Sequence, residues 1–198
     1  MNYPKFFDQI ETIKLKDDLS ALLGSLEGGE VEFSYLDVVK SAGHSCPTVA
    51  GAYILCLEGL KALYKDETPK RGEIFVTFKE DANDGVAGVI ANVVTQITGA
   101  TESYGFKGLN GNFARHSLME FNAPINSSVK LTRKDTSKSI ELIYDPSSIH
   151  PNPQMQQLMQ KVMQGVATQE EKIAFGKLWQ ERVKAIFENI SSVISIVK

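Results

Sequence analysis

The stretch Ala42-Gly43-His44-Ser45-Cys46-Pro47 places an imidazole and a thiol two residues apart on a loop hinged by a glycine. Proline is favoured at the first position of a helix, and the following residues 48–64 are mainly apolar, which predicts a mostly buried helix. Cys46 then lies at the N-terminus of that helix. Free N–H groups and the positive end of the helix dipole favour the thiolate form of a cysteine there.

A second helix is predicted on the other side of this loop. Ser34 and Asp37 have the spacing of a capping box, in which each side chain binds a backbone N–H group of the other residue. A helix over about residues 35–42 follows, and Gly43 suits the left-handed conformation that ends many helices. The loop that carries His44 therefore joins two helix termini of opposite polarity.

His44 and Cys46 are candidate metal ligands, because imidazole nitrogen and thiolate sulfur are donors that zinc prefers. Cys46 is also a candidate catalytic residue, since the thiolate is a nucleophile. A structural interpretation stays open: Cys46 as a small buried residue and His44 as a hydrogen-bonding partner of a carbonyl group.

The sequence Gly43-His44-Ser45-Cys46-Pro47, followed by an apolar helix, resembles the Gly-His-x-Cys-Pro signature of the FmdE family, which takes its name from formylmethanofuran dehydrogenase. In that family a later helix ends in Thr-Gly-Cys-Thr and precedes a Gly-Lys-Gly turn. Here residues 92–101 end in Thr-Gly-Ala-Thr, and residues 104–108 contain Gly-Phe-Lys-Gly. The resemblance covers roughly residues 34–122.

The resemblance implies an α+β core, commonly an intertwined homodimer, with a metal-capable cleft around the His-x-Cys loop. Two features of this chain depart from the family pattern. Ala100 stands where members often have cysteine, and the C-terminal zinc finger of some members is missing, because Cys46 and Cys56 are the only cysteines. Those two lie about 15 Å apart along one predicted helix, too far for a disulfide.

Length and composition predict one soluble core with extensions. Of 198 residues, 42% are hydrophobic and 23% charged, and we expect a core over residues 1–150 with a helical extension over 151–198. A net charge of −3 and a pI near 5.7 argue against nucleic-acid binding. The chain has no apolar run of about 20 residues and no signal-peptide pattern at its start, so we expect a cytoplasmic protein without a membrane partner.

Hydrophobic periodicity divides the rest of the chain into elements. The expected fold is α+β, with a mixed or antiparallel sheet packed against helices and helical extensions at both ends. The predicted elements are one or two amphipathic helices over 4–26, strands over 73–78 and 113–121, a helix over about 86–97 capped by Asn83 or Asp84, a hairpin of 128–133 with 139–144, a proline-rich linker over 145–153, a helix over 154–163, and a long helix from a capping box at Thr168 to Val197. In the helix over 86–97, Asn92, Thr95 and Gln96 interrupt the apolar face, and Thr95 and Gln96 either line a cleft or face solvent.

Asp81 and Asp84 are candidate catalytic residues. They lie in an acidic segment directly after a predicted strand, where carboxylates are well placed to act as acid or base or to complete a metal site. The alternative is that they are solvated loop charges.

Lys107, Arg115 and His116 are further candidate ligands. Lys107 lies in a glycine-rich turn whose backbone suits an anion, and Arg115 suits a carboxylate or phosphate, so both are predicted to bind a cofactor or substrate. His116 is a candidate third metal ligand. The alternatives are a hairpin corner for Lys107 and ordinary strand positions for Arg115 and His116.

These residues support two main hypotheses, and a third, thiol chemistry by Cys46 alone, has no second cysteine positioned to resolve it. The first is a metal-dependent enzyme in which His44, Cys46 and further donors hold a transition metal, most simply zinc, that acts on a small molecule. The second is a module that binds a metal or a cofactor, including haem, for sensing or delivery. Under both hypotheses the family resemblance implies a homodimer.

Overall fold

Short helices and strands follow one another along residues 1–197, the part of the chain that this computed structural model describes. The helices are α1 (Asp18–Leu22), α2 (Tyr35–Ala42), α3 (Pro47–Tyr64), α4 (Ala87–Thr98), α5 (Gln154–Met163), α6 (Gln169–Glu188) and α7 (Ile190–Val193). The strands are β1 (Ile13–Lys16), β2 (Glu30–Phe33), β3 (Ile74–Phe78), β4 (Met119–Glu120), β5 (Val129–Arg133), β6 (Ser139–Tyr144) and β7 (Ile194–Val197).

The strands form two sheets. The larger has the order β4-β3-β5-β6-β7, in which β3 and β4 are parallel and the other pairs are antiparallel. The smaller is the antiparallel pair of β1 and β2. This mixed sheet packed against helices confirms the α+β prediction, and the pairing of β5 with β6 confirms the predicted hairpin.

Helix α3 packs directly against the larger sheet and is buried along most of its length. Two glycines permit this close approach. A Cβ atom at Gly51 would overlap the ring of Tyr144, and one at Gly59 would lie 2.7 Å from Cδ1 of Leu131. The sheet therefore contacts the backbone of α3, the helix that directly follows Cys46.

The C-terminal segment belongs to the same core. Val183 and Ile186 on α6 are fully buried, and β7 pairs with β6 in a register that places Ile194 opposite Tyr144. The prediction of one helix as far as Val197 is wrong, because α6 ends at Glu188 and Ile194–Val197 form β7. Their β-branched side chains suit a strand once β6 provides a partner.

The prediction of only amphipathic helices over residues 4–26 is also wrong in part. A 3-10 turn at Lys5–Gln9 and α1 are helical, but Ile13–Lys16 is a strand in which buried and exposed residues alternate. Period-two alternation is the pattern of a half-buried strand. The N-terminal extension therefore contributes a strand that pairs with β2.

Two further predictions are corrected. Residues 113–121 form a strand only at Met119–Glu120, because Phe113 and Ser117 have φ values of 62° and 56°, outside the strand region. Helix α4 begins after Val86 with no side-chain cap, so neither Asn83 nor Asp84 caps it.

Within residues 1–197, no helix combines the length and the apolar character needed to cross a membrane.

Candidate functional site

Helix α2 leads into the His44 loop with the local structure that its sequence predicts. The backbone N–H of Asp37 donates to Oγ of Ser34 over 3.2 Å, and the Ser34 N–H donates to Oδ2 of Asp37 over 3.0 Å, which completes the capping box. Gly43 ends the helix with φ of 76°, a value that glycine adopts without strain. The position of the loop is thus fixed on its N-terminal side.

Cys46 starts α3 as predicted. Its side chain is half-buried, and its Sγ atom accepts a hydrogen bond of 3.4 Å from the Val49 N–H, with Pro47 at the first helical position. A sulfur atom at this position satisfies one of the free N–H groups at the helix terminus. The thiol therefore has a structural role as the N-cap of α3.

His44 is exposed, and one of its ring nitrogens is held by the backbone. Its Nδ1 atom lies 3.0 Å from the carbonyl oxygen of Ala42. A carbonyl oxygen only accepts hydrogen bonds, so this contact requires the proton on Nδ1 and leaves a lone pair on Nε2 of the neutral ring. His44 therefore presents Nε2 as an available donor atom for a ligand.

A cavity of about 550 Å³ lies beside His44, between α2 and α4. This volume is in the range of small-molecule sites. Its lining combines an imidazole, amides and hydroxyls with apolar side chains: Ser41, Ala42, His44, Val89, Asn92, Val93, Thr95 and Gln96.

Thr95 and Gln96 are held in place at the wall of this cavity. Thr95 Oγ1 donates to the Ala100 carbonyl oxygen over 2.8 Å, and Gln96 Nε2 donates to the Asp37 carbonyl oxygen over 3.2 Å. The sequence left open whether they line a cleft or face solvent, and the structure shows that they line a cleft. Asn92 is the site residue that sequence reasoning missed, although it interrupts the apolar face of α4 in the same way.

A smaller cavity of about 200 Å³ lies at the start of α3, and its wall includes Pro47, Thr48, Glu80 and Tyr144. The Tyr144 hydroxyl donates to the Pro47 carbonyl oxygen over 2.6 Å. Burial raises the pKa of Tyr144, so its hydroxyl stays protonated for this bond. Glu80 is the carboxylate of the predicted acidic segment that reaches a cavity next to the loop.

Ser45, between His44 and Cys46, is buried and contacts helix α6. Its carbonyl oxygen accepts hydrogen bonds from Trp179 Nε1 over 3.0 Å and from Gln180 Nε2 over 3.1 Å. Its hydroxyl donates to Gln180 Oε1 over 3.0 Å and lies 2.9 Å from the Tyr35 hydroxyl. The loop is thus fixed from the C-terminal part of the chain.

Neither Asp81 nor Asp84 is among the residues that line the two cavities. The Oδ1 atom of Asp81 accepts hydrogen bonds from the backbone N–H and the side-chain amide of Asn83, over 2.9 and 3.0 Å. This contact makes a local turn after β3, and Asp84 in the same turn is exposed. The predicted catalytic role of these two aspartates stays a prediction.

The other predicted ligands also lie outside the lining of the His44 cavity. Lys107 is exposed in its glycine-rich loop, and Nδ1 of the half-buried His116 lies 3.0 Å from Oγ of Ser117. Arg115 is buried, and its Nη2 atom donates to Oδ1 of Asp17 over 2.6 Å. That ion pair gives Arg115 a structural partner, and its predicted role in ligand binding stays a prediction.

The donor set of this loop fits only part of a zinc site. Structural zinc sites use four protein donors and catalytic sites use three. Across residues 1–197, the structure brings together no group of three or more His, Cys, Asp and Glu side chains that could hold a metal ion. A metal at His44 and Cys46 would therefore need further donors from a bound molecule or a second copy of the chain.

These features together describe an α+β protein with a ligand-sized cavity beside a His-x-Cys loop between two helices. The family model described as "FmdE, Molybdenum formylmethanofuran dehydrogenase operon" matches residues 42–194. The chain therefore belongs to the FmdE family, as its loop motif predicted, and the match includes the C-terminal helices beyond the expected range of 34–122. No curated protein matches the sequence.

Proposed function

We propose that this FmdE family member binds a small polar molecule in the cavity beside His44. The observation that carries the proposal is the orientation of the His44 ring, whose Nδ1–H is held by the Ala42 carbonyl while Nε2 stays available. An imidazole nitrogen with a free lone pair accepts a hydrogen bond or binds a metal ion. The amides and hydroxyls of Asn92, Thr95 and Gln96 supply hydrogen bonds to the same molecule.

The lining also indicates what kind of molecule fits. Neutral polar groups alternate with apolar side chains such as Val89 and Val93, and α2 ends at the cavity with the negative end of its dipole. A compact molecule with hydroxyl or amide groups on an apolar frame matches this surface.

The test is a titration of ¹⁵N-labelled protein with acetamide and with glycerol, as polar probes of the cavity. We expect saturable shifts confined to the side-chain amides of Asn92 and Gln96 and to the backbone of residues 41–44. The variant His44→Ala should weaken these shifts, whereas His150→Ala, which removes an exposed linker histidine, should leave them unchanged. Shifts scattered over the surface, or equal in both variants, would contradict the proposal.

A second candidate function is the binding of a transition metal, most simply zinc, by His44 and Cys46. One observation favours it: a metal-binding histidine usually donates its other ring N–H to a carbonyl or carboxylate, as His44 does to Ala42. The remaining coordination positions belong in this proposal to a bound small molecule or to a second copy of the chain. In that second case the protein is a homodimer.

Elemental analysis tests the metal candidate. Purified wild-type protein should contain more zinc than the variants His44→Ala and Cys46→Ala, and equal contents in all three would contradict it. Cobalt as a probe should add an absorption from sulfur-to-metal charge transfer that Cys46→Ser abolishes. Sedimentation of the wild-type protein as a monomer at micromolar concentration would rule out donors from a second copy.

A further inference from the structure

Ser45, between His44 and Cys46, is hydrogen-bonded to the side chain of Gln180, which lies 135 positions later in the chain. Gln180 makes two hydrogen bonds with Ser45: its Nε2 donates to the Ser45 carbonyl, and its Oε1 accepts from the Ser45 hydroxyl. Trp179 donates a third bond to the same carbonyl. Ser45 is only 9% exposed, so water does not readily replace these partners.

The hydrogen-bond chemistry of this contact admits only one arrangement. The Ser45 hydroxyl has a single proton, which it gives to Gln180 Oε1, so the second bond to that hydroxyl must come from the Tyr35 O–H. Burial raises the pKa of Tyr35 and keeps that proton in place. With its amide reversed, Gln180 would place an oxygen against the Ser45 carbonyl, so the pairing depends on a donor and an acceptor on one side chain.

From this contact we infer that Gln180 is a positioning residue for the His44 loop and acts through Ser45. The inference rests on the proposed function, because it assigns to α6 the task of holding His44 toward its cavity. Within residues 1–197, the His44 side chain has one hydrogen bond, to the carbonyl oxygen of Ala42 two residues away. Fixing both the carbonyl and the hydroxyl of Ser45 fixes the backbone that sets the direction of the His44 ring.

The variant Gln180→Glu should make the position of the His44 loop depend on pH, a change that a purely structural role of Gln180 would not produce. When it is protonated, the new carboxyl group donates a hydrogen bond to the Ser45 carbonyl oxygen, as the amide does. When it is ionised, it has no proton to donate, and its oxygen repels the carbonyl oxygen of Ser45. Partial burial and this repulsion should raise the pKa of the new carboxyl group above the usual value of about 4.3. At a pH below this raised pKa the contact fixes the loop. As the pH rises through the pKa, the contact is lost and the loop is released.

The experiment follows the His44 imidazole resonances and the fluorescence of Trp179, the only tryptophan, in ligand-free protein from pH 4 to pH 8. In Gln180→Glu we expect an added transition in both signals, with values near those of the wild-type protein at the acidic end. The control is Gln157→Glu, which adds the same charge at an exposed position of α5 and should show no added transition. A Gln180→Glu protein that follows the wild type over the whole range would overturn the inference.

A second variant keeps the test decisive if the carboxylate unfolds the protein. Gln180→Met removes both hydrogen bonds without adding charge, and it should displace the His44 resonances at every pH in a protein with wild-type circular dichroism. Unchanged His44 resonances in this variant would overturn the inference. Cobalt binding, used as the probe of the site, should weaken roughly tenfold in Gln180→Met.

The experiments distinguish a failure of the proposed function from a failure of the inference about Gln180. If the wild-type protein binds neither cobalt nor the polar probes, the proposed function fails. The His44 resonances of the Gln180 variants are measured without any ligand, so they still decide whether Gln180 positions the loop.

Discussion

The guanidinium group of Arg115 donates to the carboxylate of Asp17 over 2.6 Å, although the two residues are 98 positions apart. The same carboxylate accepts from Nη1 of Arg71 over 2.9 Å and from backbone N–H groups at the start of α1. Asp17 therefore joins three segments of the chain at one buried point. Burial by itself raises the pKa of Asp17, but the hydrogen bonds from Arg71 and the Ser20 N–H and the charges of both arginines lower it overall.

Replacing Asp17 by asparagine should destabilise the fold by about 3–5 kcal/mol, because two arginines lose the charge that compensates their burial. Denaturant unfolding measures this loss, and Asp66→Asn at an exposed loop position is the matched control. A lowered pKa contributes stability above the unfolded value of about 3.9, and this contribution disappears as the pH falls. The difference between wild type and Asp17→Asn should therefore shrink below about pH 4; a difference independent of pH would contradict the charge argument.

Gly51→Ala should destabilise the protein by about 1–3 kcal/mol, because the added methyl group would overlap the ring of Tyr144. Helix propensity alone predicts the opposite change in the free energy of unfolding, because it favours alanine over glycine by about 1 kcal/mol. Gly176→Ala is the control, since nothing lies within 4 Å of a Cβ atom there and the substitution should stabilise α6. In thermal unfolding, Gly51→Ala should lower the melting temperature and Gly176→Ala should raise it. A higher melting temperature in both variants would be inconsistent with the close approach of α3 to the sheet.

The two thiols should differ in their reactivity. Burial raises the pKa of Cys56 to about 12, whereas Cys46 lies half-buried at the start of α3. At pH 8 a disulfide reagent should therefore modify one thiol rapidly in the folded protein and two after denaturation. Cys46→Ser should remove the rapid reaction, and two rapid thiols in the native wild type would show that Cys56 is accessible.

Asp135 should titrate at an unusually acidic pH. Hydrogen bonds from Arg133 lower the pKa of Asp135 to about 2, and the buried guanidinium of Arg133 also lies 4.2 Å from the centre of the Tyr64 ring. A carbon-detected titration of the Asp135 carboxyl should show a midpoint near pH 2 that moves toward about 3.9 in Arg133→Met. The stability that this pair adds is present above the unfolded pKa and is lost as the pH falls. An unshifted midpoint in wild type would contradict the pairing.

Local signals explain which elements the sequence predicted correctly. The capping boxes at Ser34 and Thr168, Gly43 in its left-handed conformation and Pro47 after Cys46 all act within three or four residues, so their effect on helix ends is visible in the sequence. Strand pairing is different. The apolar residues of Ile194–Val197 continue a helical spacing, and only the neighbouring β6 decides that they form a strand.

Short-range signals in the chain were sufficient to place His44 and Cys46 on one loop between two helix ends, and the loop motif predicted the family that the chain belongs to. The packing of helices and strands makes Asn92, Thr95 and Gln96 part of the wall of the His44 cavity, whereas Asp81 and Asp84 lie outside its lining. It also decided that α6 holds Ser45. The physical reason is that backbone caps depend on residues a few positions apart, whereas contacts across the core depend on how whole helices and strands pack.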